Sequence, residues 1–217
     1  MKRTITFVIA AIALLAVFAL GTLIYQSKQD EQAAQRAASN RAHLERMHSA
    51  TLGRRDAPVV IVEFFDPACG TCRAFYPLVK DLMAAHPERI RLVLRHAPFH
   101  KGSDQVAAML EAARKQGRLW PALEALLAAQ PAWVVNHTAR ADLAWKYLDG
   151  LGLDLARLRA DMMAPEIARM IAQDLDDARA LNVSKTPEFF VNGRPLPSFG
   201  YEQLKNLVDE ALASARR

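Results

Sequence analysis

The chain has 217 residues, 52% of them hydrophobic, and a formal charge of +5. This is enough to bury one sizeable core, with a second domain possible only if it is small or inserted in the first. The basic residues are spread along the chain with no basic-aromatic interleaving, which argues against a nucleic-acid partner and for a solvated basic surface.

Lys2 and Arg3 precede an almost unbroken apolar run from Ile5 to Tyr25. A helix of about 20 apolar residues spans a bilayer core. A cleavable signal has a shorter apolar region, about 7–15 residues. Val17-Phe18-Ala19 and Ala19-Leu20-Gly21 are cleavage-compatible, but the length predicts an uncleaved anchor over residues 1–25. Lys2 and Arg3 would stay in the cytoplasm and the rest would lie outside. A buried soluble helix fits poorly, because the run has no polar face. Residues 26–50 are polar, rich in Ala, Gln and Arg and free of Pro and Gly, as in a solvated helical spacer. Leu44, Met47 and Leu52 hint at a seam for self-association, too short for a coiled coil.

Thr51 to Pro58 reads as the loop leading into a folded domain over residues 51–217. Val59 to Phe65 is a buried central strand by its β-branched and aromatic content. From Cys69 to about Ala85 the period becomes helical, with Phe75, Leu78, Val79 and Leu82 on one face and Pro77 kinking it. Ile90 to Leu94 alternates as a second strand, so the pair should be parallel with a right-handed crossover. Ser103 to about Asn182 is helical in pattern: Ser103-Asp104 as a cap, then Leu119 to Ala129, Thr138 to Leu148, Asp154 to Met163 and Glu166 to Leu181. Trp120, Trp133 and Trp145 are expected to anchor this block by packing. Strand pattern returns at Glu188 to Val191, turns at Asn192-Gly193 and continues into Arg194-Pro195-Leu196, an edge strand because of Pro195. Tyr201 to Ala213 is a terminal helix.

The only two cysteines, Cys69 and Cys72, are separated by two residues at the start of the predicted helix. Free backbone donors and the helix dipole there favour negative charge, which makes Cys69 the nucleophilic thiolate. Cys72, one turn further in, would resolve a mixed disulfide. A structural bridge across so short a loop adds little stability, and a metal site needs two more ligands that the scattered histidines do not supply. Glu63 sits mid-strand among Val, Ile and Phe. Burial would raise its pKa and suit it to accept a proton from a nearby thiol, whereas a wet strand face would make it ordinary; position alone leaves both open.

These features together resemble the thioredoxin superfamily, specifically the DsbA-like branch of exported thiol-disulfide oxidoreductases. Glu63-Phe64-Phe65 lies six residues upstream of Cys69, Pro77 lies eight residues after it, and Thr186-Pro187 opens the strand Glu188 to Val191. The resemblance implies an α/β, thioredoxin-like fold with an inserted helical subdomain at about 103–182, preceded by the transmembrane helix. It also implies that Pro187 is cis beside the cysteine pair, that Thr186 offers backbone groups to substrate, and that Glu63 is a proton relay. No separable cofactor is implied. The expected partners are exported proteins with thiols or disulfides and a membrane redox partner, at a single-pass inner-membrane site facing the periplasm.

The chain departs from the branch at Gly70-Thr71, where the archetypal DsbA has Pro-His. Thr71 carries no charge, which predicts a less acidic Cys69 and a less oxidising disulfide. Gly70 and Thr186 are similar to the isomerase branch, whose dimerising N-terminal region is here only anchor and spacer. Overall architecture favours an oxidase. A reductase or isomerase, and a non-catalytic chaperone or binding module, are the alternatives; retention of both cysteines argues against the last.

Overall fold

The computed structural model describes the backbone of residues 2–215, with side chains described for 14–29 and 31–215. Helix α1 (Lys2–Leu44) leads into β1 (Ala50–Leu52), β2 (Val59–Phe65), α2 (Gly70–Ala85) and β3 (Ile90–His96). The insertion follows: α3 (Ser103–Lys115), α4 (Leu119–Ala128), α5 (Gln130–Trp133), β4 (Val134–Val135), β5 (Thr138–Ala139), α6 (Ala141–Ala144), a 3-10 turn (Trp145–Tyr147), α7 (Leu155–Met162) and α8 (Pro165–Ala180). The chain ends with β6 (Glu188–Val191), β7 (Arg194–Pro195) and α9 (Tyr201–Ser214).

The main sheet runs β1-β3-β2-β6-β7. As expected, β2 and β3 are parallel and β7 is an edge strand; β6 and β7 pair antiparallel to their neighbours. Both sheet faces are covered, which explains why β2 is apolar almost throughout. Val59 and Ile61 pack with Val79 and Leu82 of α2 and with Leu204, Leu207 and Val208 of α9. Val62 and Phe64 face the other way, onto Leu44, Ala178 and Val183. The insertion has its own core around Leu110, Leu123, Leu126 and Trp133, continuous with Phe65, Cys69, Cys72 and Tyr76. Trp133 is fully buried, with its indole N–H donating to the Leu126 carbonyl at 2.8 Å, whereas Trp120 and Trp145 pack half-buried at the margin.

Several expectations need correction. The lead-in loop begins as a strand: Ala50–Leu52 pairs antiparallel with Leu92–Leu94 and extends the sheet by one edge. Ser103 does not cap α3; its hydroxyl donates to the His100 carbonyl at 2.7 Å. The helix expected from Thr138 starts only at Ala141. Thr138–Ala139 instead pairs with Val134–Val135 across Asn136 (φ 49°) and His137 (φ 59°). Two consecutive left-handed residues make the twist-matched hairpin turn, and Asn tolerates that conformation best among non-glycine residues. Gly102 (φ 79°) lets the preceding loop close on this hairpin, since a Cβ there would lie 2.5 Å from the Ala139 carbonyl oxygen.

The polar spacer is not wholly solvated. Ala37 and Leu44 are buried, and a Cβ on Gly193 would lie 2.4 Å from the Ala37 carbonyl oxygen, so the β6–β7 turn sits directly against α1. Leu44 packs inside its own domain while Met47 is fully exposed, so the two do not form one seam. The membrane span expected over Ile5 to Tyr25 falls on the first half of α1. The side chains of residues 5–13 lie outside the described ones, and among the described residues no helix is long and apolar enough to cross a membrane. The remaining stretch, Leu14 to Tyr25, is shorter than the ~20 residues a span requires.

Candidate active site

Cys69 is the N-cap of α2, with extended backbone (φ −76°, ψ 118°). It follows β2 through Asp66-Pro67-Ala68, a loop organised by the buried Asp66 carboxylate. Asp66 Oδ1 accepts the Ala68 N–H at 2.8 Å, and Oδ2 accepts the His100 N–H and meets His100 Nδ1, each at 2.8 Å. The Asp66 carbonyl accepts the Cys69 N–H at 3.0 Å. From the insertion, buried Gln130 donates through Nε2 to the carbonyls of Pro67 (2.7 Å) and Cys69 (3.1 Å). Both sides of the cysteine loop are thereby tied to distant parts of the chain.

Both cysteines are free thiols, Cys72 fully buried and Cys69 6% exposed. Cys69 Sγ accepts the Cys72 N–H at 3.4 Å and donates its thiol proton to the Thr186 carbonyl at 3.2 Å. Thr186-Pro187 is a cis peptide, with Pro187 buried beside the pair, so the structure brings together the two segments named from sequence.

Electrostatics separate the two thiols. Hydrogen bonding from Cys72 lowers the Cys69 pKa to about 5 against the opposing effect of burial, helped by Thr186 and the backbone N–H groups of Cys72 and Thr71. A lone-pair-rich sulfur at a helix start is favoured as the anion. Cys72 moves the other way: burial first, then Cys69 and Glu63, push its thiol well above the ordinary value. Cys69 is acidic for a thiol, yet at about 5 it lies above the ~3.5 of DsbA, the direction expected from the uncharged Thr71.

Glu63 is fully buried in central β2, between Leu94 and Phe189 of the adjoining strands, and neither carboxylate oxygen has a hydrogen-bond partner. A wet strand face is ruled out. Burial, and secondarily the charge of Cys69, raises its pKa to about 8, so it is largely protonated at neutral pH. It shares the α2-facing side of β2 with Val59 and Ile61, on the side of the cysteine pair. Among the described residues no cluster of three or more His, Cys, Asp or Glu side chains could hold a metal ion.

Sequence reasoning missed Asp66, His100, Gln130 and the 134–139 hairpin. Asp66 directly before Pro67 is a turn-forming signal that was legible; its partner 34 residues on was not. A groove of about 440 Å³ runs beside Cys69, lined by Gly70, Arg73, His100, Val134, Asn136 and His137.

The geometry has close counterparts. A thioredoxin-like oxidoreductase from Silicibacter pomeroyi superposes with a TM-score of 0.69 at 34% identity, covering 80% of this chain and 98% of that one. Oxidised BdbD from Bacillus subtilis gives 0.66 at 24% identity, covering 76% and 94%, a likeness of fold. Among curated proteins, the Na(+)/H(+) antiporter NhaA 3 of Salinispora tropica is 39% identical over 168 residues. That match covers 76% of this chain but 25% of that protein, so the chain spans about a quarter of its length. The family model Thioredoxin_4, described as thioredoxin, matches residues 44–210, most of the chain, and the protein belongs to the thioredoxin family.

Proposed function

We propose that this protein is a thiol-disulfide oxidoreductase that works outside the cytoplasm and accepts electrons from the thiols of exported proteins. The observation that carries the reading is two free thiols in one helical turn, Cys69 at the N-cap beside the cis Thr186-Pro187 bond and Cys72 buried behind it, with opposite shifts, Cys69 down to about 5 and Cys72 up. An ionised outer sulfur and a protonated inner one are what a nucleophile and a resolving thiol require.

In the oxidising cycle, a substrate thiolate attacks Sγ of Cys69 in the Cys69–Cys72 disulfide. A substrate–Cys69 bond forms, the internal disulfide breaks, and Cys72 leaves as a thiolate that takes up one proton. A second substrate thiolate then attacks the substrate sulfur, the substrate disulfide forms, and Cys69 departs as a stable thiolate. Glu63 holds a proton near neutral pH within the same buried region and acts as the relay to Cys72. The cis Thr186-Pro187 segment, whose carbonyl lies on Sγ, presents backbone to an extended substrate chain.

The stabilised thiolate also supports the oxidising direction. Each pKa unit that favours the thiolate is worth about 1.4 kcal/mol, or about 30 mV in a two-electron couple, toward the reduced form. A membrane redox partner would restore the disulfide. Anchoring by the N-terminal helix is supported by Lys2 and Arg3 ahead of the apolar run and by the exposure of Leu14, Val17, Phe18, Leu20 and Leu23.

The test is trapping. Cys72→Ala should accumulate Cys69 mixed disulfides with exported proteins on a non-reducing gel, and their absence would sink the enzyme reading. Cys69 alkylation should follow the thiolate, half-maximal near pH 5. Equilibration with glutathione buffers gives the potential; a value near that of thioredoxin, about −270 mV, would make the protein a reductase instead.

A further inference from the structure

Resting on that reading, we propose that the groove beside Cys69 selects substrate thiols that lie in an acidic protein segment. The groove, about 440 Å³, runs from the start of α2 to the β4–β5 hairpin. Its side chains that bear charge or can acquire it are Arg73, His100 and His137, and no carboxylate is among its lining residues. Arg73 and His137 are exposed, and among the described residues the Arg73 guanidinium has no ion-pair partner. The carboxylate underneath, Asp66, is fully buried and engaged by the Ala68 N–H and by the backbone N–H and Nδ1 of His100. It fixes the imidazole by Nδ1 and leaves Nε2 as the edge available to a ligand.

The wall opposite α2 is equally built. The left-handed pair Asn136-His137 turns the hairpin tip outward at the groove, and Gly102 locks the hairpin's base to the loop that carries His100. Gly70 leaves the floor open, because a Cβ there would meet nothing within 4 Å. A peptide whose cysteine reaches Sγ of Cys69 would lay its flanking residues along this cationic, donor-rich strip. Carboxylates there gain charge-assisted hydrogen bonds, whereas lysines meet like charge. The reacting step is unchanged: the peptide thiolate displaces Cys72 from the internal disulfide and forms the peptide–Cys69 bond, and Cys72 takes up a proton.

The experiment uses the full chain, oxidised beforehand. It compares rates of mixed-disulfide formation with two peptides that differ only in Asp or Lys around a single cysteine, and uses neutral dithiothreitol as reference. The expected result is a preference for the Asp peptide of about tenfold at low salt, shrinking as salt is added. Arg73→Glu combined with His137→Glu should remove or reverse the preference while dithiothreitol still reduces the protein. The ratio within each variant cancels any change in the intrinsic reactivity of Cys69. Equal rates for the two peptides, or a preference unaltered in the double variant, would overturn the groove assignment and leave the oxidoreductase reading standing. Silence toward both peptides and dithiothreitol would overturn both.

Discussion

Among the buried carboxylates, Glu63 and the pair Asp174 and Asp177 lie on opposite faces of one sheet and are treated in opposite ways. Glu63 lies under the cysteine pair with no partner for either oxygen. Asp174 and Asp177 of α8 lie on the other face and are saturated. Arg95, fully buried, reaches both at 2.7 Å, and its Nη1 also donates to the His43 and Leu44 carbonyls that end α1. Asp177 further binds His43 (2.8 Å) and Arg46 (2.5 Å), and Asp174 binds His48 and the His96 N–H, each at 2.8 Å. Partnering holds both aspartates below the usual carboxylate range despite burial, whereas lack of partners lifts Glu63 to about 8. A buried carboxylate with partners is a permanent charge and a clamp. One without partners exchanges a proton near neutral pH, and so is useful to a thiol.

The largest test of this contrast is Arg95→Ala. It removes the one fully buried cation shared by both carboxylates and should cost about 3–5 kcal/mol in urea unfolding. A loss below about 1 kcal/mol would dissolve the comparison.

Next comes the pH dependence of stability, in which the two faces have opposite sign. The aspartates' folded pKa values are depressed, so their contribution is present above the ordinary 3.8 and is lost as pH falls through the folded values. For Glu63 the folded chain keeps a proton that the unfolded chain has released. The Glu63 contribution to stability should therefore fall as pH rises from about 4.5 to about 8, with a slope approaching 1.4 kcal/mol per unit; in the reduced protein the depressed Cys69 thiol offsets it above about pH 5, so the slope is read on the oxidised form. Glu63→Gln should abolish that slope and slow disulfide exchange by about a hundredfold, with the fold intact by circular dichroism. An exchange rate unchanged across pH would remove Glu63 from the proton path.

The smallest effect is at the half-exposed margin of the clamp. Arg46→Ala should cost about 0.5–1 kcal/mol and raise amide exchange in the last turn of α1, leaving the thiol chemistry untouched.

How much of this was readable from the residues follows from the range of each interaction. The cysteine pair, its place at a helix start, the Pro77 position, the parallel strand pair and the Asn192-Gly193 turn depend on neighbours a few residues apart, and they stand where the pattern put them. Thr138–Ala139, the second strand of the 134–139 hairpin, reads as the start of a helix because Thr138 to Leu148 is rich in Ala and Leu, and the turn pair Asn136-His137 lacks the usual glycine. Likewise, β1 was hidden within a polar lead-in, because an edge strand of three residues carries almost no alternation to read.

By itself, the sequence determined that two thiols share one helical turn after an apolar strand, with an acid six residues before them, and what chemistry that spacing permits. Only the tertiary structure decided that Glu63 is unpartnered, that Asp66 holds His100 across 34 residues, and that Gln130 grips the cysteine loop. It also decided that α1 ends in a clamp on α8. The physical reason is that a carboxylate's charge state depends on the dielectric and donors around it. Here, apart from the Ala68 N–H on Asp66, the donors to the buried aspartates named above come from segments 34 to 134 residues away.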